Sequence, residues 1–249
     1  MPILCGMPMN LCCFPCKSHS AAVGFSTGVE SSNTVGYNNT VNGTYDNMTF
    51  IGASFKNVGN GTVLPFNSLG CVEGLDDGDQ IQTSSVDQDG IVQFKVYVYW
   101  DGEGWADDDL SELVDDTVGF ALGQGGWFIS AAPKQVTTSG EVKKTSHIHT
   151  FSETMSIATS AFPVAFCPNS ADVSWACEDG DQLQVPVVDQ DGIVNFKVYV
   201  YWDGEGWADD DISALLDADT AIVTAGKGFW FIAANPASAS FTEVSPIAD

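Results

Sequence analysis

The amino-acid sequence predicts an all-β protein of two tandem β-sandwich or barrel-like domains, each with one short helix. A block of 24 residues, VDQDGIVQFKVYVYWDGEGWADDD, begins at Val86 and recurs at Val188 with one change, Gln93 to Asn195. Inside the block, apolar residues occupy every second position, which is typical of a β-strand with one buried face. The chain has 249 residues, enough for two domains of ordinary size.

The centre of each repeat is predicted to be a β-hairpin. In the first repeat, the strand "QIQTSSV" precedes the turn residues "DQDG", and the strand "IVQFKVYVYW" follows them. We expect one face of the second strand to enter the core, namely Val92, Phe94, Val96, Val98 and Trp100. The other face holds Gln93, Lys95, Tyr97 and Tyr99. The second repeat pairs "QLQVPVV" with "IVNFKVYVYW", where Pro186 indicates a sheet edge or a bulge.

A short helix and a closing strand are predicted after each hairpin. In "WADDDLSELVDD", Leu110, Leu113 and Val114 have helical spacing, and the aspartates before them are suited to capping a helix. The second repeat keeps the same spacing with Ile212, Leu215 and Leu216. The Gly-punctuated segments "GQGGWFISAAP" and "GKGFWFIAANP" are each predicted to form a strand.

The repeats divide the chain into three predicted parts. Residues 1–31 are a leader or N-terminal extension without periodicity, residues 32–136 form the first β-domain, and residues 137–249 form the second. The polar segment "KQVTTSGEVKK" is expected to be the linker between the domains. Cys167 and Cys177 are close enough in sequence for a disulfide within the second repeat, although no spacing rule requires one.

The charge of the chain excludes several classes of partner. There are 33 acidic and 8 basic residues, which give a net charge of −25 at pH 7, and all eight basic residues are lysines. Nucleic acid binding requires a basic surface, which this composition does not supply. No apolar run reaches the length of a membrane helix, so no membrane insertion is expected. A chain this acidic attracts cations, and calcium is the natural one to consider.

Short motifs give the sequence a resemblance to a known group. The opening "NTVGY", the segment "MTFIGASFKNVGNG", the central "YWDGEGW" and the closing "GFWF" resemble those of uncharacterised secreted bacterial proteins with tandem β-domains. The first repeat departs from the closing motif with "GGWF", and the second lacks the "NTVGY" opening. The resemblance implies export and association with the cell surface, and it implies no catalytic activity. No clear signal peptide accompanies this expectation of an extracellular location.

An acidic edge is the candidate metal site. If Val86 pairs with Ile91 across the turn, Asp77 lies near Trp100 and Asp76 near Asp101, so the strand end, the "WDGEGW" loop and the "ADDD" segment converge. Calcium takes six to eight oxygen ligands, as such a cluster would offer. Solvated turns and a helix cap explain the same residues without a metal. The candidate ligands in the first repeat are Asp77, Asp79, Asp101, Glu103, Asp107 and Asp109. Those in the second are Asp179, Asp181, Asp203, Glu205, Asp209 and Asp211.

Tyrosines on the predicted non-core face raise a carbohydrate hypothesis. Tyr97 and Tyr99 in the first repeat, and Tyr199 and Tyr201 in the second, would stack on sugar rings if that face were exposed. Tyrosine is equally frequent at interfaces, so a second sheet or a neighbouring subunit covering this face is the competing interpretation.

Two other motifs are weaker. His147 and His149 lie two residues apart on a predicted strand, and both imidazoles would project to one side and could hold an ion. The first repeat has no such pair, and no third ligand is evident. "GFSTG" matches a nucleophile elbow but precedes any predicted strand, so no catalytic residue is predicted.

Taken together, the sequence predicts an exported, non-enzymatic structural or adhesive protein. We expect it to be a homo-oligomer or polymer formed through β-strand addition, in which the leader and first strands dock on the sheet edge of a neighbouring subunit to build an extracellular filament. The alternative is a carbohydrate-binding protein with one glycan site per repeat, with calcium as a further ligand.

Overall fold

The computed structural model describes residues 34–41, 49–55, 63–71, 73–100, 102–191, 193–202 and 204–247. These ranges are nearly all β-structure, with one 3-10 helix at Phe66–Ser68, so the predicted all-β class is confirmed. The leader, residues 1–31, lies outside the described residues. Within the described ranges, no helix is both long and apolar enough to cross a membrane.

The first repeat contributes ten strands. They are β1 (Thr34–Val41), β2 (Thr49–Gly52), β3 (Val63–Pro65), β4 (Gly70–Cys71), β5 (Gln80–Val86), β6 (Val92–Trp100), β7 (Gly104–Asp107), β8 (Gly119–Ala121), β9 (Gly125–Ile129) and β10 (Lys134–Glu141). The second repeat contributes β11 (His147–Thr150), β12 (Met155–Thr159), β13 (Val173–Ala176), β14 (Gln182–Val188), β15 (Val194–Trp202), β16 (Gly206–Asp209), β17 (Gly228–Ile232) and β18 (Ser240–Glu243).

The two repeats have the same antiparallel sheet order. A five-stranded sheet has the order β2-β9-β5-β6-β7 in the first repeat and β12-β17-β14-β15-β16 in the second. A three-stranded sheet has the order β1-β10-β4 or β11-β18-β13. The small β3-β8 pair of the first repeat corresponds to a single bridge, Phe166 to Val223, in the second. The duplicated sequence therefore folds in the same way twice.

Each repeat encloses a core between its two sheets. In the first repeat, Ile81 and Phe128 of the five-stranded sheet pack in one cluster with Val136 of β10. In the second, Leu183 and Phe231 pack in one cluster with Phe241 of β18. All six side chains are essentially inaccessible to solvent. Burial of these alternating apolar residues is the main stabilising contribution to such a sandwich.

The predicted hairpin strands are confirmed, but their register is one residue off. Val86 pairs with Val92, not with Ile91. The reason is the turn, where the Asp87 carboxylate accepts the N–H groups of Asp89 and Ile91 at 2.9 Å each and so extends the loop by one residue. In consequence Asp79 lies opposite Tyr99, and Asp77 is displaced by one residue from its predicted place beside Trp100.

The buried face of β6 is opposite to the one predicted. Tyr97 and its counterpart Tyr199 are 6% and 5% exposed, whereas Phe94 and Trp100 are each 44% exposed. Period-two alternation identifies the two faces of a strand, but both faces of this strand are apolar or aromatic. Which face becomes the core is therefore decided by the sheet that packs against it.

The predicted short helices do not form. Leu110 and Ile212 each have a φ of 55°, in the left-handed region, which interrupts a right-handed helix. The Asp107 carboxylate accepts the Ser111 N–H at 2.9 Å and the Glu112 N–H at 3.2 Å, so the segment closes as a turn. Leu113 then forms an antiparallel bridge with Ala106 at the sheet edge.

The predicted linker is in fact strand β10. It pairs with β1 along its whole length, from Thr34 with Glu141 to Val41 with Lys134. Its side chains alternate between buried and more exposed positions, with Val136 and Thr138 buried. The domain boundary predicted at residue 136 therefore falls inside a strand, because a polar sequence rich in threonine and serine suits a half-buried strand as well as a linker.

The sequence indicates a sheet edge or a bulge at Pro186, and among the described residues β14 pairs with a strand on one side only at this position. Pro186 pairs with Phe196 of β15, whereas β14 pairs with β17 only from Gln182 to Gln184. Among the described residues, no strand faces the β17 side of β14 at Pro186. Because proline has no N–H group, it can occupy this position without removing a hydrogen bond between strands.

The five-stranded sheets of the two repeats pack against each other. Their outer faces contribute Phe50, Trp127 and Ile129 from the first repeat, and Ile157 and Trp230 from the second, to one buried cluster. The contacts are reciprocal, since Phe94 meets Trp230 at 6.1 Å between ring centroids and Phe196 meets Trp127 at 6.2 Å. Trp127 and Trp230 themselves lie 6.3 Å apart. We call this contact the repeat junction.

Candidate functional site

The acidic edge contains carboxylates of two kinds. Asp79 and Asp181 are buried, at 2% and 1% exposure, and they anchor the backbone. Asp79 accepts the Asp76 N–H at 2.9 Å, and Asp181 accepts the Ala234 N–H at 2.7 Å. Asp77, Glu103, Asp179 and Glu205 are exposed.

Asp79 also approaches a buried lysine. The Lys134 ammonium lies 3.4 Å from the Asp79 carboxylate and donates hydrogen bonds to the Asp76 carboxylate at 2.9 Å and to the Gly74 carbonyl at 2.7 Å. The Lys134 side chain is 2% exposed. The Lys134 ammonium and a backbone N–H group therefore already contact the buried Asp79 carboxylate in the first repeat.

The carboxylates after β7 and β16 hold turns. Asp107 accepts the Ser111 hydroxyl at 3.1 Å as well as the backbone N–H groups described above. Asp209 repeats these bonds with Ser213 in the second repeat. Hydrogen bonds from Ser111 and Ser213 also hold the pKa of Asp109 and of Asp211 below the ordinary value for aspartate. These residues stabilise the loop conformation.

Calcium at this edge stays a prediction. Within the described ranges, no three histidine, cysteine, aspartate or glutamate side chains are arranged to hold a metal ion. Asp101 and Asp203, which the sequence places in the same cluster, lie outside the described residues. The carboxylates of Asp79 and Asp107 accept backbone N–H groups.

The tyrosines predicted as a sugar-stacking face point into the sandwich. Tyr97 and Tyr199 are core residues, each with a lysine ammonium near its ring, from Lys95 at 5.1 Å and Lys197 at 5.0 Å. Tyr99 and Tyr201 are half-buried against Trp105 and Trp207. The expectation of an exposed tyrosine platform was wrong, and the competing interpretation of a covering sheet is correct.

The two core tryptophans have no ordinary hydrogen-bond partner for the indole N–H. The Nε1 atoms of Trp105 and Trp207 are buried and unpaired. Their rings meet Tyr99 and Tyr201 in edge-to-face contacts at 5.5 Å and 5.3 Å. Aromatic faces accept N–H groups weakly, which offsets part of the cost of burying these donors.

A buried polar cluster lies beside the repeat junction. Glu243, which is 4% exposed, accepts the Ser160 hydroxyl at 2.7 Å and the Ala161 N–H at 2.8 Å. The other contact of Glu243 is the Nε2 atom of His149 at 2.7 Å. The Ser54 hydroxyl of the first repeat donates to the Ser160 carbonyl at 2.8 Å, so the cluster connects the two repeats.

The predicted histidine pair belongs to this cluster. The rings of His147 and His149 are perpendicular with centroids 4.6 Å apart, and His149 stacks on Phe241 at 3.9 Å. Burial, together with the nearby His149 and Lys143, lowers the pKa of His147 to about 4. Lys143 Nζ lies 3.2 Å from His147 Nδ1. The sequence indicated the pair but gave no sign of Glu243 or Ser160, which lie far along the chain.

The cluster borders a cavity of about 380 Å³ between the repeats. Ser84 and Gly123 line it from the first repeat, and His147, Glu153 and Ser156 line it from the second. The Ser160 hydroxyl donates to the Glu243 carboxylate, and its backbone carbonyl accepts the Ser54 hydroxyl. The arrangement is suited to holding the repeats together.

The described ranges contain two free thiols and one disulfide-bonded cysteine. Cys71 and Cys177 are free thiols, and Cys167 is disulfide-bonded. The Cys167–Cys177 bridge that the sequence allowed is therefore not formed. Burial raises the pKa of the Cys177 thiol, which makes it a poor nucleophile.

Comparisons with known proteins give no relative: no family model, no curated protein and no solved structure matches this chain. The fold and the contacts within it are thus the whole basis for a functional proposal.

Proposed function

We propose that this chain is an exported, non-enzymatic structural or adhesive protein that self-associates by β-strand addition. The observation that supports the proposal is the edge strand β1. Among the described residues it is the outer strand of the β1-β10-β4 sheet, and its eight residues, TVGYNNTV, include no charged residue.

An uncharged edge of this length favours pairing with another strand. In an antiparallel strand, alternate residues direct their N–H and C=O groups away from the one partner, and these groups are then available to a strand of a second chain. Natural proteins usually protect such edges with lysine, proline or short strands. In a chain of net charge −25, a charge-free edge is the place where two copies approach with least repulsion.

The second repeat lacks an equivalent edge. Its corresponding strand, β11, has four residues, and it includes His149, whose side chain is fixed to Glu243. The self-associating edge would therefore be present once per chain, on the first repeat. A contact between this edge and a different surface of the next chain does not close on itself, and such contacts build filaments.

The test compares association of the wild-type chain with that of an edge variant. Size-exclusion chromatography with light scattering, and electron microscopy from micromolar to millimolar protein, should show assemblies of the wild type. The variant Asn38→Lys with Asn39→Lys places two positive charges on β1 and should associate far less. Its net charge is less negative than that of the wild type, so weaker association cannot be attributed to general repulsion.

The matched control is Ser85→Lys with Ala171→Lys, which makes the same charge change at exposed positions away from β1. This control should assemble like the wild type, and thermal melting should show all three proteins folded. A wild-type chain that stays monomeric and featureless at every concentration would overturn the proposal. Equal association of the β1 variant and the control would remove β1 as the contact.

A further inference from the structure

The outer face of each five-stranded sheet is covered over only part of its width. The β2 and β9 side of the first repeat, with Phe50, Trp127 and Ile129, is buried in the repeat junction. Across β6 and β7 the same face continues with Phe94, Val98 and then Trp100, of which the two aromatic residues are each 44% exposed. Between the two parts lies β5, whose Gln80 and Gln82 occupy the same face. Phe94 connects the parts, because its ring also meets Trp230 in the repeat junction.

Strand pairing places a further leucine on this surface. Val98 pairs with Ala106 of β7, and Ala106 forms an antiparallel bridge with Leu113. Paired residues of an antiparallel ladder project to the same face, so Leu113, which is 52% exposed, extends the row. We call these side chains the apolar stripe. In the first repeat it consists of Phe94, Val96, Val98, Trp100 and Leu113. In the second it consists of Phe196, Val198, Val200, Trp202 and Leu215.

The second repeat exposes its stripe to a similar degree. Phe196 is 39% exposed, Trp202 is 44% exposed and Leu215 is 42% exposed. No stripe residue is charged. Single exposed apolar residues are ordinary, but a contiguous row that includes two large aromatic side chains marks an interaction surface.

The chain itself shows what this surface packs against. In the repeat junction, one outer face meets the outer face of the other repeat, with Phe94 against Trp230 and Phe196 against Trp127. The outer face of the first repeat is thus complementary to the outer face of the second repeat within one molecule. Phe94 of β6 and Phe196 of β15 belong both to this junction and to the exposed row, so the exposed row continues a surface that already packs within the chain.

We infer that the apolar stripe of one chain packs face to face against the apolar stripe of a second chain. This inference rests on the proposed self-association and adds to it a second contact, separate from the β1 edge. The stripes are two per chain, one on each repeat, so each molecule can engage two neighbours. Edge pairing would extend an assembly, and stripe contacts would join such assemblies side by side.

Charge gives the contact a recognisable salt dependence. The stripe is uncharged, but the loops after β6 and β15 carry the exposed carboxylates Glu103 and Glu205. Two chains of net charge −25 repel each other at low ionic strength, and added salt screens this repulsion while leaving apolar burial in place. Association should therefore strengthen as NaCl is raised from about 50 mM to about 500 mM.

The experiment is sedimentation velocity of the full chain as a function of concentration and salt. The principal variant carries Trp100→Gln, Leu113→Gln, Trp202→Gln and Leu215→Gln, which makes both stripes polar. The matched control carries Ile91→Gln and Ile193→Gln. These two residues are 57% and 59% exposed, but they lie at the hairpin turns and not on the stripe. The variant should raise the dissociation constant by at least about tenfold, and the control should leave it unchanged.

Two further variants distinguish loss of the stripe contact from misfolding of the chain. Trp100→Phe with Trp202→Phe keeps the stripe apolar and should retain association. Changing only Trp202 and Leu215 to Gln leaves one stripe, which permits a face-to-face pair but no further lateral growth. The substituted side chains are about half exposed, so every variant should remain folded, and circular dichroism and thermal melting check this.

The outcomes separate this inference from the proposed function. If the wild type associates and the four-fold variant associates equally well, the stripe inference is overturned while self-association stands. If the wild type stays monomeric at every salt concentration, both are overturned. If polar stripes abolish only lateral growth and the β1 variant abolishes only filament extension, both contacts are established.

Discussion

Removal of the Glu243 carboxylate is the sharpest test of how the repeats are held together. Glu243 is 4% exposed and accepts from three groups, the Ser160 hydroxyl, the Ala161 N–H and the His149 ring, at 2.7–2.8 Å. Substitution by alanine leaves all three partners without their acceptor in a site that solvent hardly reaches. The cluster joins the β18 strand to the segment after β12, next to the repeat junction.

The expected loss of stability follows from these contacts. A buried donor left without its acceptor costs about 1–3 kcal/mol, and Glu243 accepts from three such donors. Because Ser160 can turn its hydroxyl and water can enter the space left by the side chain, we expect Glu243→Ala to lower the free energy of unfolding by about 3–5 kcal/mol. For a chain of this size the melting temperature should fall by about 10 °C.

The assay is urea unfolding at neutral pH followed by circular dichroism, with calorimetry as the second measurement. The control is Glu112→Ala, which removes an exposed carboxylate from the loop after β7 and should change the stability by less than about 0.5 kcal/mol. Ser160→Ala removes one of the three donors and also the acceptor of the Phe162 N–H at 3.1 Å, so it should cost about 1–3 kcal/mol. A loss below about 1 kcal/mol for Glu243→Ala would refute the role assigned to this cluster.

Two further predictions concern the same region. Gly123 has a φ of +82°, and an added Cβ would lie 2.6 Å from His149 Nδ1 and would also strike His149 Cε1. Gly123→Ala should therefore lower the free energy of unfolding by about 3 kcal/mol, measured by thermal unfolding. The control is Gly90→Ala, which has a similar φ of +77° but open space around the added Cβ, and it should cost about 1 kcal/mol. Equal costs for the two substitutions would contradict the contact with His149. Because the pKa of His147 is about 4 in the folded chain and 6.5 as a free group, the unfolded chain binds a proton first as the pH falls. The free energy of unfolding should accordingly drop between about pH 6.5 and pH 4, by about 1–2 kcal/mol for a half-exposed side chain, and His147→Gln should flatten this part of a urea-midpoint profile.

The hairpin illustrates how much local sequence can predict. Alternation from Val92 to Trp100, with the "DQDG" turn before it, correctly located β5, β6 and their counterparts. The same sequence gave the wrong register by one residue, because the Asp87 carboxylate draws Ile91 into the loop. Side-chain bonds of this kind depend on atomic positions that a residue pattern does not contain.

The acidic segment after β7 was misassigned for a related reason. Leu110, Leu113 and Val114 have helical spacing, and aspartates before them are equally suited to a helix cap and to a turn. Backbone bonding to Asp107 favoured the turn, and the apolar side chains went to the two faces of the sheet edge instead of to one helix face. The local sequence is about equally suited to a helix and to a turn, and the bridge of Leu113 with Ala106 at the sheet edge favours the turn.

The sequence by itself determined the repetition, the all-β class and the strands, because periodicity and turn chemistry are local properties of the chain. The tertiary structure alone decided which face of β6 is buried, since both faces carry large apolar or aromatic side chains and the packing of sheet on sheet distinguishes them. It also brought Glu243, Ser160 and His149 together from distant positions and left the apolar stripe uncovered. Contacts between residues far apart in the chain depend on how whole sheets are placed, and no short stretch of sequence encodes that placement.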